Sequence, residues 1–363
     1  MKLSDLLKKE NNNIDLFRII AASMVIYAHA YVLSPEAGRY DIIASFFQNK
    51  TNAGSLAVKI FFFISGLVVT NSLLSNGDLL KFAIARFFRI WPALILTTVV
   101  TVFILGPMLT SLTWREYFSN GETFRYITNI VTMNIQFTLP GVFMNNPYPS
   151  SVNGSLWTIP YEVFAYVLLF ACYAVGVIKN RWLSVIIFLF ILVDPLLSER
   201  ILFAWLPKDH TVDFLAPSFA FGAILALNKE VVTIKPSTCL GLFIFYFAFK
   251  DSGFSMYFAY AAVFMFVLYL SSLRPILKVK PSIDLSYGVY LWGFPVQQVL
   301  AQYFSTYGVL FNQTIAMFIS LVLGYLSWHI CEKHFIEYGR RVSIFLNEKR
   351  RSVFFDKSSS DIC

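Results

Sequence analysis

Three ionisable side chains lie in the first apolar stretch of the chain, which reads IDLFRIIAASMVIYAHA. Arg18 and His29 are eleven residues apart. In an α-helix this is three turns plus about 20°, so the two side chains share one face about 16 Å apart. Asp15 precedes Arg18 by three residues and joins that face. Histidine suits proton transfer near neutral pH, although a structural histidine bonded to a neighbouring helix would show the same spacing.

A carboxylate stands in a second apolar stretch, SLWTIPYEVFAYVLL, where Glu162 follows Trp157 and Pro160. A carboxylate at such depth must be paired, protonated or facing water. With the imidazole of His29 it could form an acid–base or orienting pair. The alternative is an interhelical ion pair.

Two arginines occur three residues apart in ARFFRIWP, at positions 86 and 89. They lie on one helical face, and a paired guanidinium face suits phosphates, which arginine grips with two hydrogen bonds. The alternative is a topology signal that touches lipid headgroups. In FFFISGLVV, Ser65 and Gly66 allow close helix packing, and Ser65 lacks the context of a nucleophile elbow.

The composition excludes a soluble enzyme, a disordered chain and a disulfide scaffold. Of 363 residues, 57% are hydrophobic and only 14% are charged, and the mean hydropathy is +0.63; an average soluble protein has roughly 25% charged residues. Backbone groups in lipid must bond internally, so the fold class is all-α, a polytopic bundle of membrane helices. No cysteine or histidine spacing suggests a metal. The net charge of +8 is more typical of basic cytoplasmic loops than of a nucleic-acid partner.

Apolar runs predict about ten transmembrane helices. They cover residues 14–34, 54–74, 88–109, 155–177, 182–198, 212–228, 237–250, 253–273, 284–304 and 311–332. The longest connection, 110–154, is expected to fold partly back onto the membrane. The chain divides into a membrane domain, residues 1–340, and a short basic cytoplasmic tail, residues 341–363.

The positive-inside rule predicts both termini in the cytoplasm. With the N-terminus inside and alternating spans, 20 of the 29 lysines and arginines fall in inner segments and 7 in outer loops.

Six motifs in this order resemble the acyltransferase-3 family of integral membrane acyltransferases. The family's opening pattern is a basic residue followed, after ten residues, by histidine, and Arg18 and His29 match it. Glu162 is the last residue of a match to the family's SLWT-x-x-x-E pattern. Further matches are FFFISGL, RFFRIWP, SYGVYLWGFPVQQ and CEKHFIE. The chain departs from the family at Gly293, where many members have histidine, so His29 carries more of the expected chemistry.

The resemblance implies a surface-polysaccharide O-acetyltransferase in the inner (cytoplasmic) membrane. It implies transfer of an acyl group, commonly acetyl, from acetyl-CoA to a sugar hydroxyl of an envelope glycan such as O-antigen. The partners are then acyl-CoA as donor substrate, an envelope glycan or lipid-linked oligosaccharide as acceptor, and membrane lipids, with no nucleic acid, bound cofactor or metal.

Chemistry and resemblance together suggest roles for the marked residues. CoA is cytosolic and rich in phosphates, so the expected donor-binding residues are Arg18, Arg86 and Arg89. The acceptor hydroxyl must lose its proton as it attacks the thioester, so His29, oriented or charge-balanced by Glu162, is the expected catalytic base. Supporting roles are expected for three further residues, Asp15, Ser65 and Trp157.

Two alternatives stay open. The same charged residues could line the pathway of a transporter or flippase of lipid-linked sugar, although the paired broken-helix repeats typical of many transporters are not evident. The same chemistry could also act on a lipid, a peptidoglycan sugar or a small molecule. Acetyl transfer by the purified protein would separate enzyme from transporter.

The predicted sidedness is testable by labelling. A cysteine introduced at Ser358 should not react with a membrane-impermeant reagent added to intact cells, because the C-terminal tail is expected in the cytoplasm. A cysteine at Gln48, in a predicted outer loop, should react. Equal labelling at the two positions would contradict the predicted topology.

Overall fold

The protein is a bundle of α-helices. A computed structural model describes residues 1–197, 201–202 and 210–360, and within these ranges there are three isolated β-bridges and no strand. Two basic residues counted above in the outer loops, Arg200 and Lys208, lie outside the described residues.

The longer helices are numbered here in chain order. They are α1 Ile14–Leu33, α2 Ala53–Asn76, α3 Leu79–Val100, α4 Gly121–Val131, α5 Ile159–Ala174, α6 Arg181–Val193, α7 Leu215–Leu227, α8 Pro236–Ala248, α9 Ser255–Ser271, α10 Ser286–Phe304, α11 Gly308–Ser327 and α12 Lys333–Ser360. Short α-helices are Leu3–Leu6, Ile42–Phe46, Gly106–Leu109, Trp114–Ser119, His210–Asp213 and Arg274–Lys278. Single turns of 3₁₀-helix are Lys9–Asn11, Gly154–Thr158, Val177–Lys179, Asp194–Leu196 and Ser305–Tyr307, and π-helical turns are Thr101–Leu105 and Trp328–Glu332.

A helix forms in every one of the ten predicted segments. The third begins at Leu79 rather than near residue 88, because Asp78 caps it by accepting a hydrogen bond from the Lys81 amide. Gly77, with φ of 65°, ends α2 directly before this cap and makes the turn tight. The fifth predicted helix, 182–198, is described as far as Leu197 and is α-helical to Val193.

Five stretches of the described chain are long and apolar enough to cross a membrane. They are Ile14–Leu33, Ala53–Asn76, Leu79–Leu109, Gly154–Ala174 and Ser286–Arg350, the last containing α10, α11 and most of α12. The helices α7, α8 and α9 are apolar but shorter. A membrane protein is therefore supported, while the count of ten spans and the side of each terminus stay predictions.

The connections that the positive-inside rule predicts to be cytoplasmic meet at one end of the bundle. The Leu3 amide donates to the Val232 carbonyl at 2.9 Å, and Lys280 Nζ donates to the Asn12 carbonyl at 2.7 Å. We call this end, formed by residues 1–13, 228–235 and 272–285, the basic face. At the opposite end, the Val309 amide donates to Glu36 Oε2 at 3.0 Å.

The long connection 110–154 folds onto α10. Asn146 Nδ2 donates to Gln298 Oε1 at 2.7 Å, and Asn153 Nδ2 donates to the Leu291 carbonyl at 2.9 Å. These hydrogen bonds satisfy buried amides of both partners, which would otherwise cost free energy. The connection therefore forms part of the wall around α10 rather than a free loop.

Two glycines allow α2 and α7 to cross in close contact. A Cβ on Gly66 of α2 would stand 2.1 Å from the Phe219 carbonyl oxygen of α7, and one on Gly222 of α7 would stand 2.2 Å from the Phe63 carbonyl oxygen of α2. Neither backbone leaves room for a methyl group. The structural role expected for Gly66 is thus confirmed, and its crossing fixes the position of the neighbouring Ser65.

We predict that Gly66→Ala lowers the free energy of unfolding by about 1–3 kcal/mol, the usual cost of overpacking. The backbone of α7 must move to accept the methyl group, and the shift should appear as a lower melting temperature in detergent. Gly241→Ala on α8 is the matched control, because a Cβ there meets no atom within 4 Å. Equal melting temperatures for the two variants would contradict the tight crossing.

Candidate active site

A cavity of about 420 Å³ reaches into the bundle from the basic face. It lies among α1, α2, α3, α5 and α10, and it brings together six of the eight residues marked in the sequence: Asp15, Arg18, Ser65, Arg86, Arg89 and Glu162. His29 and Trp157 are not among the residues that line it. Six of the predicted residues therefore line the same cavity, and two do not.

The entrance of the cavity is cationic. Lys9 and Lys280 both line it, and Lys280 Nζ also donates to the Lys9 carbonyl. Lys229 Nζ donates to Asn71 Oδ1 at 2.8 Å, and Asn71 is part of the cavity wall. Positive charge concentrated in a cleft with apolar walls attracts anions.

Behind the entrance, two arginines share two carboxylates. Arg18 Nη1 lies 2.6 Å and Arg89 Nη2 2.7 Å from Asp284 Oδ2, and Arg89 Nη1 lies 3.0 Å from Glu332 Oε2. Ser327 Oγ donates to the other oxygen of Glu332 at 3.0 Å. This ion-pair network joins α1, α3, the segment before α10 and the π-helical turn after α11.

Asp284 stays ionised in this network. In the structure it lies before α10, outside the stretch Ser286–Arg350, although the predicted segment 284–304 began at this residue. Burial acts to raise the pKa of its carboxyl, but the charges of Arg18 and Arg89 and hydrogen bonds from Ser286 outweigh burial and lower that pKa below its usual range.

Arg86 differs from Arg89 although it lies one turn away on the same helix. Its guanidinium is 5.7 Å from the centre of the Tyr166 ring. Within the described chain it forms no ion pair, and it lines the cavity. Arg86 is therefore available to an anionic ligand, whereas Arg89 is already neutralised by protein carboxylates.

A chain of three hydrogen-bonded side chains crosses the cavity wall. Tyr166 Oη donates to Glu162 Oε1 at 2.5 Å, and Ser65 Oγ lies 2.6 Å from Tyr166 Oη. Because Tyr166 gives its own proton to the carboxylate, the Ser65 hydroxyl is the donor in the second bond. The expected pairing of Glu162 with His29 is not formed: the partner of Glu162 is Tyr166, its neighbour one turn on in α5.

His29 lies beyond the inner end of the cavity. Its ring meets the edge of the Phe294 ring at a centroid distance of 5.2 Å. Its Nδ1 is buried and has no hydrogen-bond partner in the described chain. A Cβ on Gly293 would stand 2.8 Å from Ile26 Cγ1, so the position where family members often carry histidine lies against α1, one turn before His29.

One turn of α10 separates His29 from the cavity. Tyr290 lines the cavity, and Phe294, four residues later, contacts His29; the rise between them is about 6 Å. The Tyr290 hydroxyl lies 2.5 Å from Thr158 Oγ1 and 2.5 Å from the Ser155 carbonyl oxygen. These bonds fix the tyrosine side chain in the wall of the cavity.

Trp157 does not line the cavity but packs at the start of α5. It lies in the 3₁₀ turn before α5, and its ring meets the Tyr161 ring edge at 5.8 Å. This contact lies at the start of α5, the helix that carries Glu162.

Sequence reasoning did not mark several polar residues of the site, among them Lys9, Tyr166, Lys280 and Tyr290 in the cavity wall and Asp284 in the adjoining ion-pair network. Two of them carried a usable signal. Tyr166 stands four residues after Glu162, the spacing at which helical side chains meet. Asp284 is the first residue of the predicted segment 284–304, where an acid requires a partner.

The arrangement can do two things chemically. Its entrance can hold a polyanionic molecule through lysine and arginine side chains. Its inner wall offers a hydroxyl whose proton can move through a phenol to a carboxylate, as an acyl acceptor or hydroxyl nucleophile requires.

Comparison with known proteins agrees with this chemistry. The chain is 28% identical to an O-acetyl transferase of Shigella phage Sf6 over 341 residues, 90% of this chain and 96% of the relative. It is 31% identical over 170 residues to Nodulation protein 10 of Rhizobium leguminosarum bv. viciae, covering 44% of this chain and 43% of that protein. No solved structure matches the chain significantly. A family model described as an acyltransferase domain matches residues 11–329, and the chain therefore belongs to the acyltransferase-3 family.

Proposed function

We propose that this acyltransferase is an O-acetyltransferase that moves an acetyl group from cytosolic acetyl-CoA to a sugar hydroxyl of a surface polysaccharide such as O-antigen. The similarity to the O-acetyl transferase of phage Sf6 along nearly the whole chain supports O-acetyl transfer. The resemblance of the sequence motifs supports a polysaccharide acceptor.

One observation carries the choice of donor: the cavity combines a cationic entrance with a hydroxyl-bearing inner wall. Lys9 and Lys280 stand at its mouth, and Arg86 lies further in without a carboxylate partner in the described chain. CoA has phosphates at one end and a thioester at the other, so its charge pattern fits this order along the cavity. A neutral donor would leave these cations without a ligand.

The proposal includes an orientation in the membrane. The basic face, where the cavity opens, is placed in the cytoplasm of a multi-pass protein of the inner membrane with both termini cytoplasmic. This follows the positive-inside rule and gives acetyl-CoA access from the side where it is found. The acceptor would then approach from the opposite face, where His29 lies closer to the end of α1.

His29 is proposed as the base that takes the acceptor proton. Its buried Nδ1 has no protein partner in the described chain, so an incoming hydroxyl could supply the missing hydrogen bond. Glu162 serves the donor side, because its carboxylate lines the cavity and is bonded to Tyr166.

The proposed function is tested by reconstitution. The purified full chain in nanodiscs, given acetyl-CoA and an isolated surface polysaccharide, should release CoA and leave alkali-labile acetyl groups on the glycan. Mass spectrometry of the surface glycan from cells with and without the protein should show the same difference. Uptake or flipping of lipid-linked sugar without acetyl transfer would favour the transporter alternative.

We predict that His29→Ala lowers acetyl transfer by about 10²–10⁴-fold, the range for a positioned general base. The variant should keep its fold and its affinity for CoA, because His29 does not line the cavity. Wild-type transfer should also fall at acidic pH, since protonated imidazole cannot accept a proton. Initial rates of glycan acetylation measure both effects.

The matched control is His329→Ala, which removes a histidine that contacts Tyr325 near the end of α11. This variant should transfer acetyl groups at the wild-type rate. A near wild-type rate in His29→Ala would leave His29 a structural role only.

We predict that Arg86 and Arg89 differ in what they contribute. Arg86→Ala should weaken CoA binding with little change in melting temperature, and Arg86→Lys should restore only part of the affinity because it lacks the guanidinium fork. Arg89→Ala should destabilise the fold by ~3–5 kcal/mol, because it leaves Glu332 unpaired in the bundle. Calorimetric titration with CoA and thermal unfolding measure the two effects.

The control for both variants is Arg125→Ala, since Arg125 is 71% exposed and pairs with Glu122 at the surface. It should change neither property. Loss of CoA affinity in Arg89→Ala at an unchanged melting temperature would reverse the assignment of the two arginines.

A further inference from the structure

We propose that Ser65 carries the acyl group between the donor and the acceptor, as a transient acyl-serine ester. This inference rests on the proposed function and concerns the route of the group inside the protein. It starts from the hydrogen-bonded chain Ser65–Tyr166–Glu162, which crosses the wall of the donor cavity.

The geometry is that of an activated nucleophile. A nucleophile within 2.6–3.2 Å of a base, with the base oriented by a third group, is the general form of a catalytic triad. Here Ser65 Oγ is 2.6 Å from Tyr166 Oη, which donates to Glu162 Oε1 at 2.5 Å. The nearby Arg86 guanidinium adds positive charge above the tyrosine ring.

The other serine and threonine hydroxyls in the cavity wall lack such an outlet for a proton. Ser286 Oγ donates to Asp284 at 2.6 Å, but that carboxylate is already held by two arginines and is a weak base. Thr158 is bonded to Tyr290, whose hydroxyl also donates to a backbone carbonyl. Ser65 is thus singled out among the serine and threonine hydroxyls that line the described cavity.

The depth of Ser65 fits the reacting end of a donor. Asn71 of α2 is bonded to Lys229 at the basic face. Ser65 lies six residues earlier in the same helix, about 9 Å deeper. A molecule whose phosphates contact the lysines at the entrance would therefore direct its other end towards Ser65.

The two half-reactions need not occur at the same time when a covalent carrier is used. With direct transfer, donor and acceptor must occupy the cavity together. With an ester on Ser65, which lines the cavity, CoA can leave before the acceptor arrives.

Both half-reactions balance. Ser65 Oγ forms a bond to the acyl carbon, the carbon–sulfur bond breaks, and CoA leaves as thiolate. The serine proton passes to Tyr166 as Tyr166 passes its own proton to Glu162. The acceptor hydroxyl then loses its proton and attacks the acyl carbon of the ester, and the bond between that carbon and Ser65 Oγ breaks. The proton held by Glu162 returns through Tyr166 to Ser65 Oγ, and the proton lost by the acceptor passes to water, where the thiolate takes one up.

The test is acid quenching of the purified full chain after mixing with acetyl-CoA radiolabelled in the acetyl group, without acceptor. We expect one acetyl group per protein, a matching burst of CoA release, and label in the tryptic peptide 60–81. The label should resist neutral hydroxylamine, as an oxygen ester does. In Ser65→Cys it should become hydroxylamine-labile, because the carrier is then a thioester.

Three variants sharpen the result. Ser65→Ala should lose the label and lower transfer by several orders of magnitude, as removal of a nucleophile does. Tyr166→Phe should slow the burst without changing CoA affinity. The matched control is Ser320→Ala, which removes a buried hydroxyl of α11 that has no hydrogen-bond partner in the described chain, and it should label like the wild type.

The outcomes separate this inference from the proposed function. Transfer to glycan at the wild-type rate by Ser65→Ala, or label on His29 or a cysteine, would overturn the acyl-serine route and leave the O-acetyltransferase in place. A folded wild type that neither takes up label nor acetylates glycan from acetyl-CoA would overturn the proposed function itself.

Discussion

The pairing of Arg89 with two carboxylates is the constraint on which the rest of the site depends. Arg89 is largely buried, and an unpaired charge in an environment of low polarity is costly. Asp284 and Glu332 neutralise it through its two terminal nitrogens, at 2.7 and 3.0 Å. Asp284 precedes α10 and Glu332 follows α11. Because both carboxylates pair with one guanidinium of α3, the start of α10 and the end of α11 are held against α3.

This pairing also determines which cations stay free. Asp284 is shared with Arg18, so the charges of Asp284 and Glu332 are already balanced by Arg18 and Arg89. Arg86, Lys9 and Lys280 then face the cavity as its excess positive charge. Two arginines that look equivalent in the sequence, three residues apart on one face, thus divide into one that holds the bundle together and one that can hold a ligand.

Sequence patterns predicted much of the fold because lipid imposes a strong rule: each span must be a long apolar helix. All ten predicted segments contain a helix, and the errors lie at ends such as Leu79, where a cap rather than hydrophobicity decides the boundary. The gathering of Arg18, Arg86 and Arg89 at one cavity was expected from their positions, whereas Glu162, expected to pair with His29, joins them instead. The pairing of Arg89 with Asp284 could not be predicted, because the two residues are 195 positions apart and no periodicity reports a contact of that kind.

The expected pair of Glu162 and His29 is absent for the same reason, since sequence periodicity does not report contacts between distant segments. This difference bears on the mechanism. Both residues are polar groups in apolar helices, and pairing them was the simplest way to satisfy both. The structure instead satisfies Glu162 locally, through Tyr166 one turn away, and leaves His29 Nδ1 without a partner in the described chain.

An unpaired buried nitrogen is costly unless a ligand completes it. It is best explained where a substrate hydroxyl binds during turnover. In the proposed function the two residues then serve different substrates. Glu162 lines the cavity assigned to the donor, and His29 lies outside it, against Phe294, one helical turn from Tyr290.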